Sequence, residues 1–252
     1  MPQKHTLPWL DNDTPFPPIH QAMGKESPMP GLLCAGADLS VQRLVLAYSQ
    51  GIFPWFSQRQ PVLWWSPDPR MILQVDQFKL HRSLRQTIKR WKSSGEYRLS
   101  INQAFGQVIH ACSSVPRTGQ QGTWILPSMQ AAYQTLHLKG HAHSIEVWRS
   151  GQLIGGLYLV NLGRGVFGES MFSRATDASK VALCALVTLC RAQGAKWIDC
   201  QQNTAHLGSL GAHPVPRPLF QEWLANDCDK PDLDWNERWI YWDDMLSNEP
   251  GK

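Results

Sequence analysis

The sequence predicts an α/β or α+β chain in which a small N-terminal domain precedes a larger domain with a mixed sheet flanked by helices. Three observations carry this. From about Val75 onward, apolar patterns of helical and strand period alternate along the chain. Within that alternation the strand-like runs Ser144 to Arg149, Gln152 to Leu162 and Gly165 to Met171 follow one another across tight turns, as hairpins do. A helix-length segment, Thr176 to Gln193, then leads to a short apolar run at Lys196 to Cys200, the layout of a βαβ unit. With 252 residues and 42% hydrophobic content, the chain can bury a substantial core. The expected division is residues 1–72 for the N-terminal arm and small domain, and 73–252 for the larger domain with an acidic C-terminal tail.

Each element has a local reason. Residues from Met1 to about Pro30 are rich in proline and polar side chains, which predicts an irregular arm. GADLSVQRLVLAYSQGIFPW reads as a helix capped near Asp38 or Ser40, with Leu44, Val45, Ala47 and Tyr48 inside and Gly51 and Pro54 beyond its end. PVLWWSPDPRMILQV gives two strands around a turn on Ser66, Pro67, Asp68 and Pro69, completing the N-terminal module. LHRSLRQTIKRW places Leu80, Leu84, Ile88 and Trp91 on one helical stripe and the basic residues opposite. A strand at Tyr97 to Ile101, a helix at Asn102 to Cys112, the loop SSVPRTGQQGTW and a helix at Pro127 to Lys139 lead into the hairpin strands. Thr176 to Gln193 is apolar nearly all round, as a buried helix is.

Composition narrows the function classes. A net charge of +4 is mildly basic and does not by itself imply a nucleic-acid partner. Its distribution is uneven: Lys79, His81, Arg82, Arg85, Lys89, Arg90, Lys92 and Arg98 cluster, whereas Glu222 to Asp244 is acidic. Such a basic run is either a solvated helix face or, with an anionic substrate, a phosphate clamp. The longest apolar stretch, within Val181 to Cys190, is interrupted by Thr188 and falls far short of the roughly 20 residues that span a bilayer. The start, MPQKHTLPWLDNDTPFPP, has proline and acidic residues where a signal peptide needs an apolar core. A cytoplasmic, monomeric protein is expected. Six cysteines without a CxxC pair predict reduced, mostly buried thiols and no zinc site.

Three blocks hold the groups suited to chemistry: GHAHSIEVW (Gly140 to Trp148), GESMFSR (Gly168 to Arg174) and IDCQ (Ile198 to Gln201). They place Glu169, Asp199 and Gln201 at the ends of apolar runs, where side chains line a pocket yet stay anchored. Glu169 is either a structural carboxylate, paired with Arg174 or capping the next helix, or one aimed at a substrate ammonium. Asp199 and Gln201, two apart on a strand, share a face, unless both bond nearby loop backbone. Trp55 and Trp124 sit in loop-like settings where a ring can stack on a nucleobase or simply build core. His141, His143 and His206 lack the spacing of a metal set and are read as structural. No GxSxG elbow, Walker sequence or dinucleotide fingerprint is present.

The blocks GLLCAGADLSVQRLVLAYSQGIFPWF, LWWSPDPR, NQAFGQVI, TWI, GHAHSIEVW, GGLY, GESMFSRATDASK and IDCQ followed by HLGSLGA closely resemble the leucyl/phenylalanyl-tRNA protein transferases, bacterial aminoacyltransferases of the N-end rule. The resemblance runs from about Gly31 to Pro218. It implies an acetyltransferase-like domain behind a small N-terminal domain. It further implies transfer of Leu or Phe from aminoacyl-tRNA to the α-amine of proteins beginning with Lys or Arg, marking them for degradation. By the same resemblance Asp199 and Gln201 orient or deprotonate the amine, Glu169 binds the acceptor N-terminus, and Trp55 and Trp124 contact the terminal adenosine. Leu157, Val166, Met171, Leu183, Leu186 and Ile198 line the aminoacyl pocket, and Arg82, Arg85, Lys89 and Arg90 grip the acceptor-stem backbone. Val166 and Leu186 stand where the family carries Phe, which bears on the choice among Leu, Phe and Met donors. With no glycine-rich pyrophosphate loop at GESMFSRATDASK, no acyl-CoA and no other cofactor is expected. The rival readings are an acyl-CoA-dependent N-acyltransferase on the same fold and a non-catalytic RNA-binding module.

Overall fold

The computed structural model describes residues 7–114, 125–236 and 240–247. The arm is irregular but for a short strand β1 (Trp9–Leu10) and one 3-10 turn (Ile19–Gln21). It is fastened to the next helix by Arg43, whose guanidinium donates to the carbonyls of Asp11, Asn12 and Thr14. Strand β2 (Leu32–Gly36), wholly buried, precedes helix α1 (Val41–Ser49), for which Ser40 is the N-cap, its Oγ accepting from Arg43 N at 3.3 Å. Strands β3 (Phe53–Pro54) and β4 (Leu63–Trp65) complete a four-stranded sheet in the order β1-β2-β4-β3.

Strand β5 (Arg70–Gln74) departs from the expected hairpin with β4: it lies in the second sheet. The reason is its two apolar faces. Met71 and Leu73 pack into one core cluster and Ile72 into another, which suits an interior strand buried on both sides.

Helix α2 (Arg82–Ser94), strand β6 (Tyr97–Ile101) and helices α3 (Phe105–Ser114) and α4 (Pro127–Leu138) follow. Strands β7 (Ala142–Arg149), β8 (Gln152–Leu162) and β9 (Gly165–Ser173) form the expected meander. Helix α5 (Ala178–Ala192) crosses to β10 (Trp197–Gln201). Past them come α6 (Ala205–Ser209), β11 (His213–Val215), α7 (Arg217–Asp227) and α8 (Trp242–Leu246), which sequence periodicity did not resolve. The second sheet runs β11-β5-β10-β9-β8-β7-β6; β9 and β10 are parallel and the other neighbours antiparallel, so the sheet is mixed and flanked by helices as expected.

One face of this sheet packs on α5 and α2; the other packs on α3, α4 and the small sheet with α1. Gly155 permits the first, since a Cβ there would meet Ala178 Cβ at 2.5 Å. Described residues of the acidic tail pack on the domain. Trp235 stacks on His143 at 4.3 Å, and Met245 of α8 is buried against the α5 side. Among the described residues no helix is long and apolar enough to cross a membrane.

Candidate active site

The parallel neighbours β9 and β10 pair only at Ile198 with Val166 and Asp199 with Phe167, and both strands then carry a bulge. On β9, Ser170 faces Tyr158 and Gly168 faces Leu159, so Glu169 is the extra residue. It lies inside the strand, not at its end as the sequence pattern suggests. On β10, Asp199 faces Ile72 and Gln201 faces Met71, and Gln201 takes φ +60°. A bulge re-aims its side chain, and left-handed backbone outside glycine persists only where neighbours hold it. Asp199 is the holder here: its Oδ1 accepts Gln201 N–H at 2.8 Å. The two bulges turn Glu169 and Gln201 toward each other across the gap between the strands, and Gln201 Nε2 donates to Glu169 Oε1 at 2.7 Å.

Two phenols complete the surroundings of Glu169. Tyr48 of α1 donates to Oε1 at 2.7 Å and Tyr133 of α4 to Oε2 at 3.0 Å, and the two hydroxyls also bond each other. Burial, reinforced by the adjoining carboxylate, holds both phenols neutral, so they act as donors. The Glu169 carboxyl is raised from 4.5 to about 7, chiefly because burial disfavours its charge and further because Asp199 lies near. The donors from Tyr48, Tyr133 and Gln201 pull the other way. A proton count agrees with the rise: two hydroxyl protons serve three oxygen–oxygen contacts while Glu169 is ionised, and protonation supplies the third.

Asp199 is fully occupied. Arg70 Nε donates to its Oδ1 at 2.8 Å and Arg70 Nη2 to its Oδ2 at 2.7 Å, with the two side chains 1% and 0% exposed. Such bidentate pairing is the strong form of a charged hydrogen bond. Asp199 and Gln201 therefore do not present themselves side by side, because the bulge sends one to Arg70 and the other to Glu169.

Leu157, Val166, Leu183, Leu186 and Ile198 belong to one buried cluster on the α5 side, with Met171 packed against it. Leu157 faces Met171 across β8 and β9, and Val166 faces Ile198 across β9 and β10. Trp55 is half-buried, its ring edge-on to Trp65 at 5.2 Å. Trp124 lies outside the described residues. On α2, Arg82, Lys89 and Arg90 are exposed, whereas Arg85 is half-buried and donates to the Leu246 carbonyl at 2.6 Å.

Sequence reasoning missed Arg70, Tyr48 and Tyr133 as members of this site. Two signals were there: an arginine opening the apolar strand RMILQ, and tyrosines on buried helix faces, whose hydroxyls require partners.

Comparison with known proteins points the same way. Residues 72–225 match the family described as leucyl/phenylalanyl-tRNA protein transferase, and residues 37–68 match the N-terminal domain of that family. A leucyl/phenylalanyl-tRNA–protein transferase of Leptothrix cholodnii is 54% identical over 250 residues, 98% of this chain and 98% of its own length. That of Polaromonas sp. is 54% identical over 243 residues, covering 96% of this chain and 95% of its own. The solved structure of FemX aligns over 72% of this chain and 70% of its own at 11% identity, with a TM-score of 0.41. With two family matches in order and relatives this similar over nearly the whole length, the chain belongs to the leucyl/phenylalanyl-tRNA protein transferase family.

Proposed function

We propose that this aminoacyltransferase moves Leu or Phe from the 3′-terminal adenosine of aminoacyl-tRNA to the α-amine of proteins beginning with Lys or Arg, marking them for degradation. It works in the cytoplasm as a monomer, with a small N-terminal domain ahead of the catalytic one, to whose sheet β5 belongs. The observation that carries this reading is the enclosed Glu169 carboxyl, held by Tyr48, Tyr133 and Gln201 beside the gap between β9 and β10.

Peptide-bond formation from an activated ester requires a neutral amine placed against the ester carbon. An α-amine with a pKa of about 7.7 to 8.0 arrives mostly as ammonium at pH 7. Glu169, at about 7, lies within roughly one unit of it, so passing a proton between them is uphill by only about 1.4 kcal/mol. Glu169 thus receives the ammonium and takes its proton, and Gln201 keeps the carboxylate turned toward the amine. The amine lone pair attacks the ester carbon and the C–O bond to the adenosine breaks. Of the two protons the nitrogen loses, one passes to the departing ribose oxygen and the other to solvent.

Asp199 serves as orienter, since Arg70 and the Gln201 N–H already engage both of its oxygens. On the opposite face of the sheet, Leu157, Val166, Met171, Leu183, Leu186 and Ile198 receive the aminoacyl side chain. Trp55 and Trp124 serve the terminal adenosine, and Arg82, Arg85, Lys89 and Arg90 the acceptor stem, by charge and without reading sequence. Incubating the protein with Leu-tRNA and a peptide beginning with Arg tests the reading. Leucine transfer above the uncatalysed rate is expected, and its absence overturns the proposal. Saturable binding of acetyl-CoA by calorimetry would favour the acyl-CoA rival instead.

A further inference from the structure

We propose that Arg70 is a positioning residue for the acceptor half of the site, acting through Asp199 on Gln201 and through Gly51 on Tyr48. This rests on the function proposed above. Arg70 is among the largest fully buried side chains, and each contact of its guanidinium has a directional consequence. Nε and Nη2 clamp Asp199, whose Oδ1 in turn fixes the Gln201 N–H and so its left-handed bulge. Nη1 donates to the Gly51 carbonyl at 3.1 Å. Gly51 directly follows the last turn of α1, the helix that carries Tyr48, and its N–H donates to the Tyr48 carbonyl at 3.0 Å.

The hydrogen bonds therefore close a ring: Arg70 to Asp199, to Gln201, to Glu169, to Tyr48, to Gly51 and back to Arg70. Glu169 is gripped from two sides by groups whose common anchor is one guanidinium. Two aromatic rings brace that anchor. The ring centres of Phe53 and Phe220 lie 4.7 Å and 5.1 Å from the guanidinium carbon, an arrangement a planar cation tolerates and an ammonium does not reproduce. Gly51 itself takes φ +74°, and a Cβ there would meet Leu224 at 2.9 Å and Phe220 at 3.2 Å, so the carbonyl has a fixed approach. A buried pair of this kind adds little net stability over apolar packing but defines one geometry.

Arg70→Lys tests the inference, because it keeps the charge and loses the fork. Expected are a lowered melting temperature, Leu-tRNA affinity near wild type, and kcat per folded molecule for transfer to an Arg-starting peptide lower by roughly tenfold to a hundredfold, the effect of misplacing a reacting group by about 1 Å. A second readout needs no substrate: in protein labelled with 13C at glutamate carboxyls, the Glu169 titration moves upward as the Gln201 donor drifts away. Arg70→Gln with Asp199→Asn strands no buried charge and serves if Arg70→Lys does not fold. Wild-type kcat per folded molecule in either variant, or an unmoved Glu169 titration, overturns the positioning role. If the wild-type protein itself transfers nothing, the functional reading fails, and the carboxyl titration alone then decides the part played by Arg70.

Discussion

Replacing Glu169 by Gln separates catalysis from stability with opposite signs. An acid whose pKa is raised by folding holds its proton more tightly folded than unfolded. Below about 4.5 both states are protonated and the group adds no pH dependence; between 4.5 and about 7 stability falls as pH rises, and above 7 the full amount is lost. The rise from 4.5 to about 7 corresponds to as much as about 3 kcal/mol, with solvent at this half-buried residue trimming the figure. Glu169→Gln has the same shape and no charge, and the Tyr48 and Tyr133 hydroxyls can turn to accept from the new amide. The variant should therefore melt about 5–10 °C above wild type at pH 8 and at nearly the same temperature at pH 4.5. Transfer to an Arg-starting peptide should drop roughly 100-fold, the usual worth of a placed proton acceptor. Calorimetric melts at the two pH values and single-turnover transfer assays measure both. A melting difference that does not change with pH would refute the argument that burial sets this carboxyl, and an unchanged transfer rate would refute its role.

The remaining predictions follow from the same geometry. Tyr48→Phe removes a donor that favours the charged form of Glu169, so the acid limb of the wild-type rate profile, expected near pH 7, should move to higher pH; a profile that keeps its midpoint contradicts the hydrogen bond. Arg82→Ala with Lys89→Ala should weaken Leu-tRNA and Phe-tRNA binding alike and reduce the slope of log K against log salt by about 1 to 2, measured by filter binding. If affinity holds, that face of α2 is merely solvated. Met171→Ala, at a partly exposed position beside the α5-side cluster, should change the Phe-to-Leu donor ratio by about tenfold, and a constant ratio assigns Met171 to core packing alone.

How much of this was legible in the sequence depends on which interactions are local. The basic helix was legible because Leu84, Ile88 and Trp91 recur at helical spacing, and all three are buried. The α1 cap, expected near Asp38 or Ser40 and found at Ser40, and the parallel crossover through α5 were legible from local pattern too. Strand β5 was not, because hairpin spacing cannot distinguish a strand that turns back on β4 from one that enters a second sheet. Nor was the bulge at Glu169, because it shifts the alternation: Phe167 and Phe172 face one cluster while Val166 and Met171 face the other. Arg85 illustrates a third limit, since its charge pattern suggested a free cation and a carbonyl 161 residues away occupies it.

On the proposed reading, the bulges also bear on where the two halves of the reaction meet. A regular parallel pair would continue hydrogen bonding past Asp199 and Phe167 and seal the sheet, keeping the polar ring on one face from the apolar cluster on the other. With Glu169 unpaired on β9 and the register shifted between Asp199 and Gln201 on β10, a side-chain bond of 2.7 Å joins the two strands beyond their last backbone pair. That bond lies between the groups proposed for the amine and those proposed for the aminoacyl side chain. A short ester carbonyl held at the gap has the amine-binding carboxyl on one side and Val166 and Ile198, the last paired residues of the α5 face, on the other. Strain in the Gln201 backbone is consistent with this division of labour, because a relaxed φ at that position would re-aim the side chain away from Glu169.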